Sequence, residues 1–203
     1  MPRTSTAKER LTDAALSLIW RHSYGATSVD AICEKAKVKK GSFYYFFKSK
    51  CDLAVAALDA DWKEQRAQLD TIFSPTIPPL ERLRRYFDFS FEHLQQIKEE
   101  YGAVLGCPLN ALGSEICTQE TALRGKIQEI LERKLSYFES AIRDAHAAGL
   151  IAAPDAKAKA KTLFILIQGA LTQARIQDNL DIVRDIYPCA LDLLGATRAE
   201  LST

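Results

Sequence analysis

Apolar residues along this chain recur at intervals of three and four, the spacing that lines one face of an α-helix. Convincing β-type alternation is not found. Leu11, Ala14, Ala15, Leu18 and Ile19 set the pattern. Gly25 is expected to end that first helix in a left-handed conformation. Thr27 or Ser28 can cap a second, short helix bearing Val29, Ile32, Cys33 and Ala36. Lys37 to Lys40 leave room for a tight turn before a third helix from about Lys40 to Phe47. Lys48-Ser49-Lys50 breaks that helix, and Ser49 can cap a fourth from Cys51 to about Asp70.

Ser74-Pro75-Thr76-Ile77-Pro78-Pro79 is the sharpest shift in composition and reads as a loop. A fifth helix starts at Pro79 or Leu80 and carries Leu83, Phe87, Phe91 and Leu94 on one face. Gly102, Gly106, Pro108 and Gly113 make the next stretch irregular. A long helix follows from about Thr118 to Ala148, closed by Gly149. Pro154-Asp155 opens another to about Gln177, and a last one runs from Leu180 to Leu194 before Gly195. The expected class is all-α with about nine helices: a three-helix head and a helical body. The expected domains are 5–65 and 75–203.

Composition narrows the class without naming a function. Hydrophobic residues are 47% and charged residues 26% of 203, enough for a buried core. Apolar runs such as Leu163 to Ile167 are far short of a membrane span, and the polar, basic N-terminus does not read as a signal peptide. These features point to a cytoplasmic protein. Five scattered cysteines and three distant histidines make a disulfide framework or a metal site unexpected, and no cofactor is implied. No G-x-G-x-x-G, G-x-S-x-G, P-loop or H-E-x-x-H pattern is present. Tyr44 and Lys48 match the Tyr/Lys spacing of a dehydrogenase but lack the dinucleotide fold it needs. No enzyme is expected.

Charge is unevenly spread. Residues 1–50 hold ten Lys and Arg against four acids, a net +6, whereas the remainder is −5. A basic head suggests a polyanionic partner, and a merely solvated face is the plain alternative. The two short helices with a tight turn fit a helix-turn-helix at about 28–47, whose second helix enters the major groove of DNA. Lys39 and Lys40 lie at the start of that helix. Gly41 permits close backbone approach, and Ser42 can hydrogen-bond. Tyr44 and Tyr45 pair a hydroxyl with an aromatic body suited to phosphate, sugar or thymine methyl. Phe43 and Phe47, four apart, can pack inward. Tyr44, Tyr45, Phe46 and Phe47 follow one another at about 100° per residue and cannot all face one side, so some are exposed.

Thr27-Ser28-Val29-Asp30-Ala31-Ile32 through Val38-Lys39-Lys40-Gly41-Ser42-Phe43-Tyr44-Tyr45-Phe46-Phe47-Lys48-Ser49-Lys50-Cys51-Asp52-Leu53 resembles the N-terminal motif of the tetracycline-repressor (TetR) family. The resemblance covers about 45 residues. It implies a dimeric, ligand-responsive regulator, most simply a repressor, on a near-palindromic double-stranded operator. It assigns Thr27, Ser28 and Lys50 to phosphate, and Lys39, Lys40, Gly41, Ser42, Tyr44 and Tyr45 to the DNA-facing side. Three positions depart from the pattern: Cys33 for alanine, Lys37 for the turn glycine, and Phe46 for a frequent histidine.

In that family the C-terminal helices bind a small molecule and form the dimer. Trp62, Phe87, Phe91, Cys107, Asn110, Tyr137, Phe164 and Gln168 are candidate pocket residues, and for any one of them ordinary core is the competing reading. Ile165, Gly169, Thr172, Ile176, Ile186 and Leu193 resemble the family's dimerising helix pair. Gly106-Cys107-Pro108-Leu109-Asn110-Ala111 resembles a stretch in which some members carry a cysteine that senses electrophiles or oxidants. A thiol beside a helix N-terminus favours thiolate. Cys107 is therefore a candidate sensor, or a small buried hydrophobe. A helical adaptor with no DNA role remains as an alternative, and it leaves the basic head unexplained.

Overall fold

The computed structural model describes residues 6–196, so the outermost expected domain residues, 5 and 197–203, lie outside the described part. The all-α class holds. Ten helical segments are described, the ninth a four-residue turn that runs into the tenth. β pairing among the described residues is one isolated bridge, Ile151 to Ala196.

The head begins with α1 (Ala7–Arg21). Thr6 and Glu9 form a reciprocal capping box, satisfying backbone donors that a helix start leaves free. α1 ends at Arg21 with His22 as its cap, and the left-handed turn expected at Gly25 is not formed. α2 (Val29–Ala36) is capped by Ser28, whose hydroxyl accepts from the Ala31 N–H at 3.1 Å. Its other end is Lys37, left-handed at φ 53°. That is where the family pattern has glycine, because a Cβ disfavours this conformation. α3 spans Lys40–Phe46 and α4 spans Lys50–Ile72, opened by a bond from the Asp52 N–H to the Ser49 hydroxyl.

α5 (Pro79–Tyr101) opens on a proline and closes on left-handed Gly102. α6 (Pro108–Ile116) and α7 (Thr121–Ala147) follow. α8 (Ala156–Gln177) is capped by Asp155 and ends on left-handed Asp178. The expected last helix is broken at Asp185 into α9 (Asp181–Arg184) and α10 (Ile186–Leu194), the latter ended by Gly195.

The chain divides into two compact units. One holds the residues up to Gln65 together with Pro108–Ile130; the other holds Arg66–Cys107 and the residues from Leu131 on. The first boundary falls at Gln65. The body, however, is not one continuous segment, because α6 and the start of α7 group with the head. Apolar faces explain this: Leu109, Leu112, Ile116, Leu123 and Ile127 are buried alongside Leu11, Ile32, Phe43 and Leu53 of that unit. The second unit is centred on Leu83, Phe138, Ile142 and Leu163, all fully buried.

Candidate nucleic-acid interface

α3 turns its aromatics both ways. Phe43 is fully buried and Phe47 nearly so, and they hold the helix against the head. Tyr44 is 57% exposed, Tyr45 82% and Phe46 37%. Exposed aromatics of this size are costly to leave in water and normally mark a surface that meets a partner. Edge-to-face packing of Tyr44 on Phe43 and of Tyr45 on Phe46, each with ring centroids 5.0 Å apart, restricts the rings before any partner arrives.

The residues around them are cationic and accessible. Lys39 precedes α3, is exposed and spends no side-chain bond on capping. Lys40 pairs with Asp30 of α2 at 2.7 Å, an exposed ion pair that raises the lysine's pKa. Around Gly41 a Cβ would meet nothing within 4 Å, so its backbone can be approached closely. Ser42 is half-buried, and Ser28 and Lys48 are exposed.

Two residues expected at phosphate have other tasks. Thr27 is 3% exposed and its hydroxyl donates to the Ser23 carbonyl at 2.7 Å. Lys50 donates from its ammonium to the carbonyls of Tyr24 at 2.7 Å and Thr27 at 2.9 Å, and lies 4.1 Å from the centre of the Tyr24 ring. The residue types match the family motif, but the α1–α2 loop folds back onto the start of α4 and consumes both groups. Desolvation and then Glu120 drive the Tyr24 phenol pKa upward, and they push the Cys51 thiol up to about 11. Sequence reasoning missed Glu115, whose carboxylate accepts from the N–H groups of Tyr24 at 2.8 Å and Gly25 at 2.7 Å. Ninety residues separate the partners, and no local pattern links them.

The expected pocket residues fall in both units. Trp62 and Asn110 belong with the head, and the rest lie in the second unit. There Phe87, Tyr137 and Phe164 join one aromatic cluster with Phe73, Tyr86, Phe138 and Tyr187. Burial in it pushes the Tyr86 phenol up to about 12. Phe91 stands apart beneath the Arg184 guanidinium, 5.0 Å from its ring centre. Cys107 is half-buried and directly precedes α6. Among the described residues, two buried polar side-chain atoms have no partner: Nε1 of Trp62, in the first unit, and Oε1 of Gln168, in the second. A cavity of about 580 Å³ opens elsewhere in the second unit, against Leu80, Arg84, Arg184, Tyr187 and Leu191. None of the expected pocket residues lines it.

Of the expected dimer residues, Ile165 and Ile176 on α8 are 72% and 70% exposed, Gly169 between them is exposed, and Leu193 and Thr172 are half-buried. Ile186 is buried in its own chain and unavailable to a partner, because α9 breaks the expected helix and turns it inward. Leu166, at the edge of the exposed α8 stripe, was not anticipated.

Comparison with known proteins agrees with this architecture. Residues 11–57 match the family described as bacterial regulatory proteins, tetR family, and residues 79–187 match the tetracyclin repressor-like C-terminal domain. The transcriptional regulator AcuR of Cereibacter sphaeroides is 29% identical over 87% of this chain and 80% of its own length. The repressor DhaR of a Mycobacterium species is 27% identical over 100% of this chain and 98% of its own. A regulatory protein TetR from Rhodobacter sphaeroides superposes with TM-score 0.82 at 27% identity, covering 92% of this chain and 97% of that one. Reduced NemR of Escherichia coli, 18% identical, shares the fold with TM-score 0.83 over 95% and 98% of the two chains. With its helix-turn-helix, its outward-facing tyrosines and both family domains in place, the chain belongs to the TetR family and is a DNA-binding transcriptional regulator, not an enzyme.

Proposed function

We propose that this protein is a cytoplasmic homodimeric repressor that reads a near-palindromic operator with α3 and releases it when a small molecule binds or Cys107 is modified. The observation that carries the DNA reading is the exposure of Tyr44 and Tyr45 beside Lys39, Lys40 and Gly41. Tyr44, Tyr45 and Ser42 touch base edges or sugar, while Lys39, Lys40 and Ser28 meet phosphate. A two-fold dimer sets its two copies of α3 about one DNA turn apart, ~34 Å. The exposed α8 stripe of Ile165, Leu166, Gly169 and Ile176 supports pairing of the two copies there.

Effector binding in the second unit is supported by the unpartnered Gln168 Oε1. Buried polar groups without partners cost on the order of 1–3 kcal/mol each, and a ligand's own polar groups can recover that cost. A sensing role for Cys107 is supported by its place one residue before α6, the helix that groups with the head. Either signal acts by favouring one of two head arrangements. The test is an operator gel shift repeated across candidate effectors and the alkylator N-ethylmaleimide. Release by at least one of them is expected; if none ever weakens the complex, the switch is refuted.

A further inference from the structure

We infer that Glu115 of α6 is a positioning residue for operator recognition, acting through the α1–α2 loop that presents the start of α2. The inference rests on the DNA-reading function above and concerns a residue that makes no DNA contact itself.

The geometry is a two-sided clamp on one loop. From α6, the Glu115 carboxylate takes the N–H of Tyr24 on one oxygen at 2.8 Å and the N–H of Gly25 on the other at 2.7 Å. From the start of α4, the Lys50 ammonium takes the carbonyls of Tyr24 and Thr27. The loop's donors are thus held by an anion and its acceptors by a cation, from two different helices. Charge-assisted bonds of this kind are the strong ones. The residue after Thr27 is Ser28, the cap of α2 and an exposed candidate for phosphate. A shift of the loop is therefore a shift of α2, and of α3, which packs against α2.

The residue at position 25 bears on the same contact. Position 25 is glycine although its backbone is not left-handed; a Cβ there would stand 3.2 Å from Glu115 Oε1. An alanine there would press on the tip of the glutamate side chain, which would have to give by a few tenths of an ångström. α6 is fastened to the reading head by a route separate from α4.

Electrostatics and positioning predict opposite signs, which makes the test decisive. Removing an acid from a basic head strengthens its attraction to any duplex. Loss of positioning weakens the specific site alone. An operator is first selected by the wild-type chain from a random duplex pool. Affinities for it and for a random duplex are then measured for the wild type, Glu115→Gln and Glu115→Ala. The glutamine keeps one acceptor oxygen, the alanine none, and both lose the same charge. Operator affinity is expected to fall about 3-fold in Glu115→Gln and about 10-fold in Glu115→Ala. Random-duplex affinity is expected to be equal in the two variants and no weaker than wild type. Amide exchange at Tyr24 and Gly25 should accelerate in both, while the interior of α1 stays protected.

Gly25→Ala approaches the clamp from the other side and keeps the question open to refutation if Glu115→Ala does not fold. It should weaken operator binding in the wild-type background and in Glu115→Gln, but add nothing to Glu115→Ala where that variant folds. Operator binding by folded Glu115→Gln that equals or exceeds wild type overturns the inference, as does wild-type operator affinity in Gly25→Ala. A wild-type chain that selects no sequence is a different failure: it removes the DNA reading itself, and the inference with it.

Discussion

Arg82 and Asp144 meet at 2.6 Å, joining the first turn of α5 to the last turns of α7. Arg82 is 4% exposed, yet every face of its guanidinium is used: Nε donates to the Ile77 carbonyl at 2.7 Å and Nη2 to that of Pro75 at 3.1 Å. One side chain therefore fixes the proline-rich loop and the end of a long helix together. Removing one member of a buried pair leaves its partners unsatisfied, at roughly 3–5 kcal/mol. Arg82→Ala should approach the low end, since Asp144 keeps some water, and Arg82→Lys should recover less than half because one ammonium cannot span three acceptors. Urea denaturation measures both; wild-type stability in Arg82→Ala would refute this account.

Lys37 offers a test in the opposite direction. Its φ of 53° is one of two left-handed conformations among the described non-glycine residues. Lys37→Gly should stabilise the chain by about 0.5–1 kcal/mol, because the Cβ penalty disappears. Thermal unfolding should show a rise of a few degrees. A fall would mean that the lysine side chain stabilises the turn more than its backbone strains it.

Much of this was legible in the sequence, for a physical reason. Helix faces, caps and the α3 aromatics are local: Ser28, Ser49 and Asp155 cap the helices that follow them, and Phe43 and Phe47 pack inward because they are four apart. The misses at Lys50 and Glu115 are non-local. Nothing near Lys50 says that its ammonium will fold back onto the Tyr24 carbonyl, and nothing near Glu115 points to position 24. Ile186 was misplaced because the pattern did not show the break at Asp185, which changes the face that the following residues present.

Asp178 links stability to pH. It ends α8 in a left-handed conformation at φ 47°, accepts from the Val104 N–H at 2.8 Å and pairs with Lys98. The Val104 bond first, and Lys98 after it, hold its pKa below the usual carboxylate value. A depressed folded-state pKa adds stability that is present above the unfolded value, about 3.9, and is lost as pH falls through the folded one. Asp178→Asn keeps a residue that tolerates the left-handed backbone but abolishes the charge. Its deficit relative to wild type should be constant near neutrality and shrink as pH drops below about 4. Unfolding curves at pH 7 and pH 3 decide it: an equal deficit at both means that the charge contributes nothing.

Ile165 and Ile176 test the proposed pairing surface. Both are exposed on α8, and neither is needed by the core of its own chain. A buried unpaired carboxylate is heavily penalised, so Ile165→Asp with Ile176→Asp should raise the dimer dissociation constant at least ~100-fold, about 3 kcal/mol. Light scattering should then report monomers with unchanged helical content. A variant that stays dimeric places the interface elsewhere.

Salt dependence separates the residues that touch phosphate from those that hold the reading helix. Each phosphate neutralised contributes about 0.9 to the slope of log K against log salt. Lys39 is exposed and its side chain takes no part in capping, so Lys39→Ala should lower that slope by about 1. Lys50 has its ammonium engaged with the Tyr24 and Thr27 carbonyls. Lys50→Met should weaken operator binding at every salt concentration and leave the slope unchanged, because it loosens the loop without removing a phosphate contact. Tyr45→Ala should also keep the slope, yet cost about 1–2 kcal/mol on the operator and little on random DNA, as a base-edge or sugar contact does. Titrations across a fourfold salt range measure all three. A slope that falls by about 1 in Lys50→Met would return that residue to the phosphate role that the family motif implies, and would mean that the clamp on the α1–α2 loop opens when DNA binds.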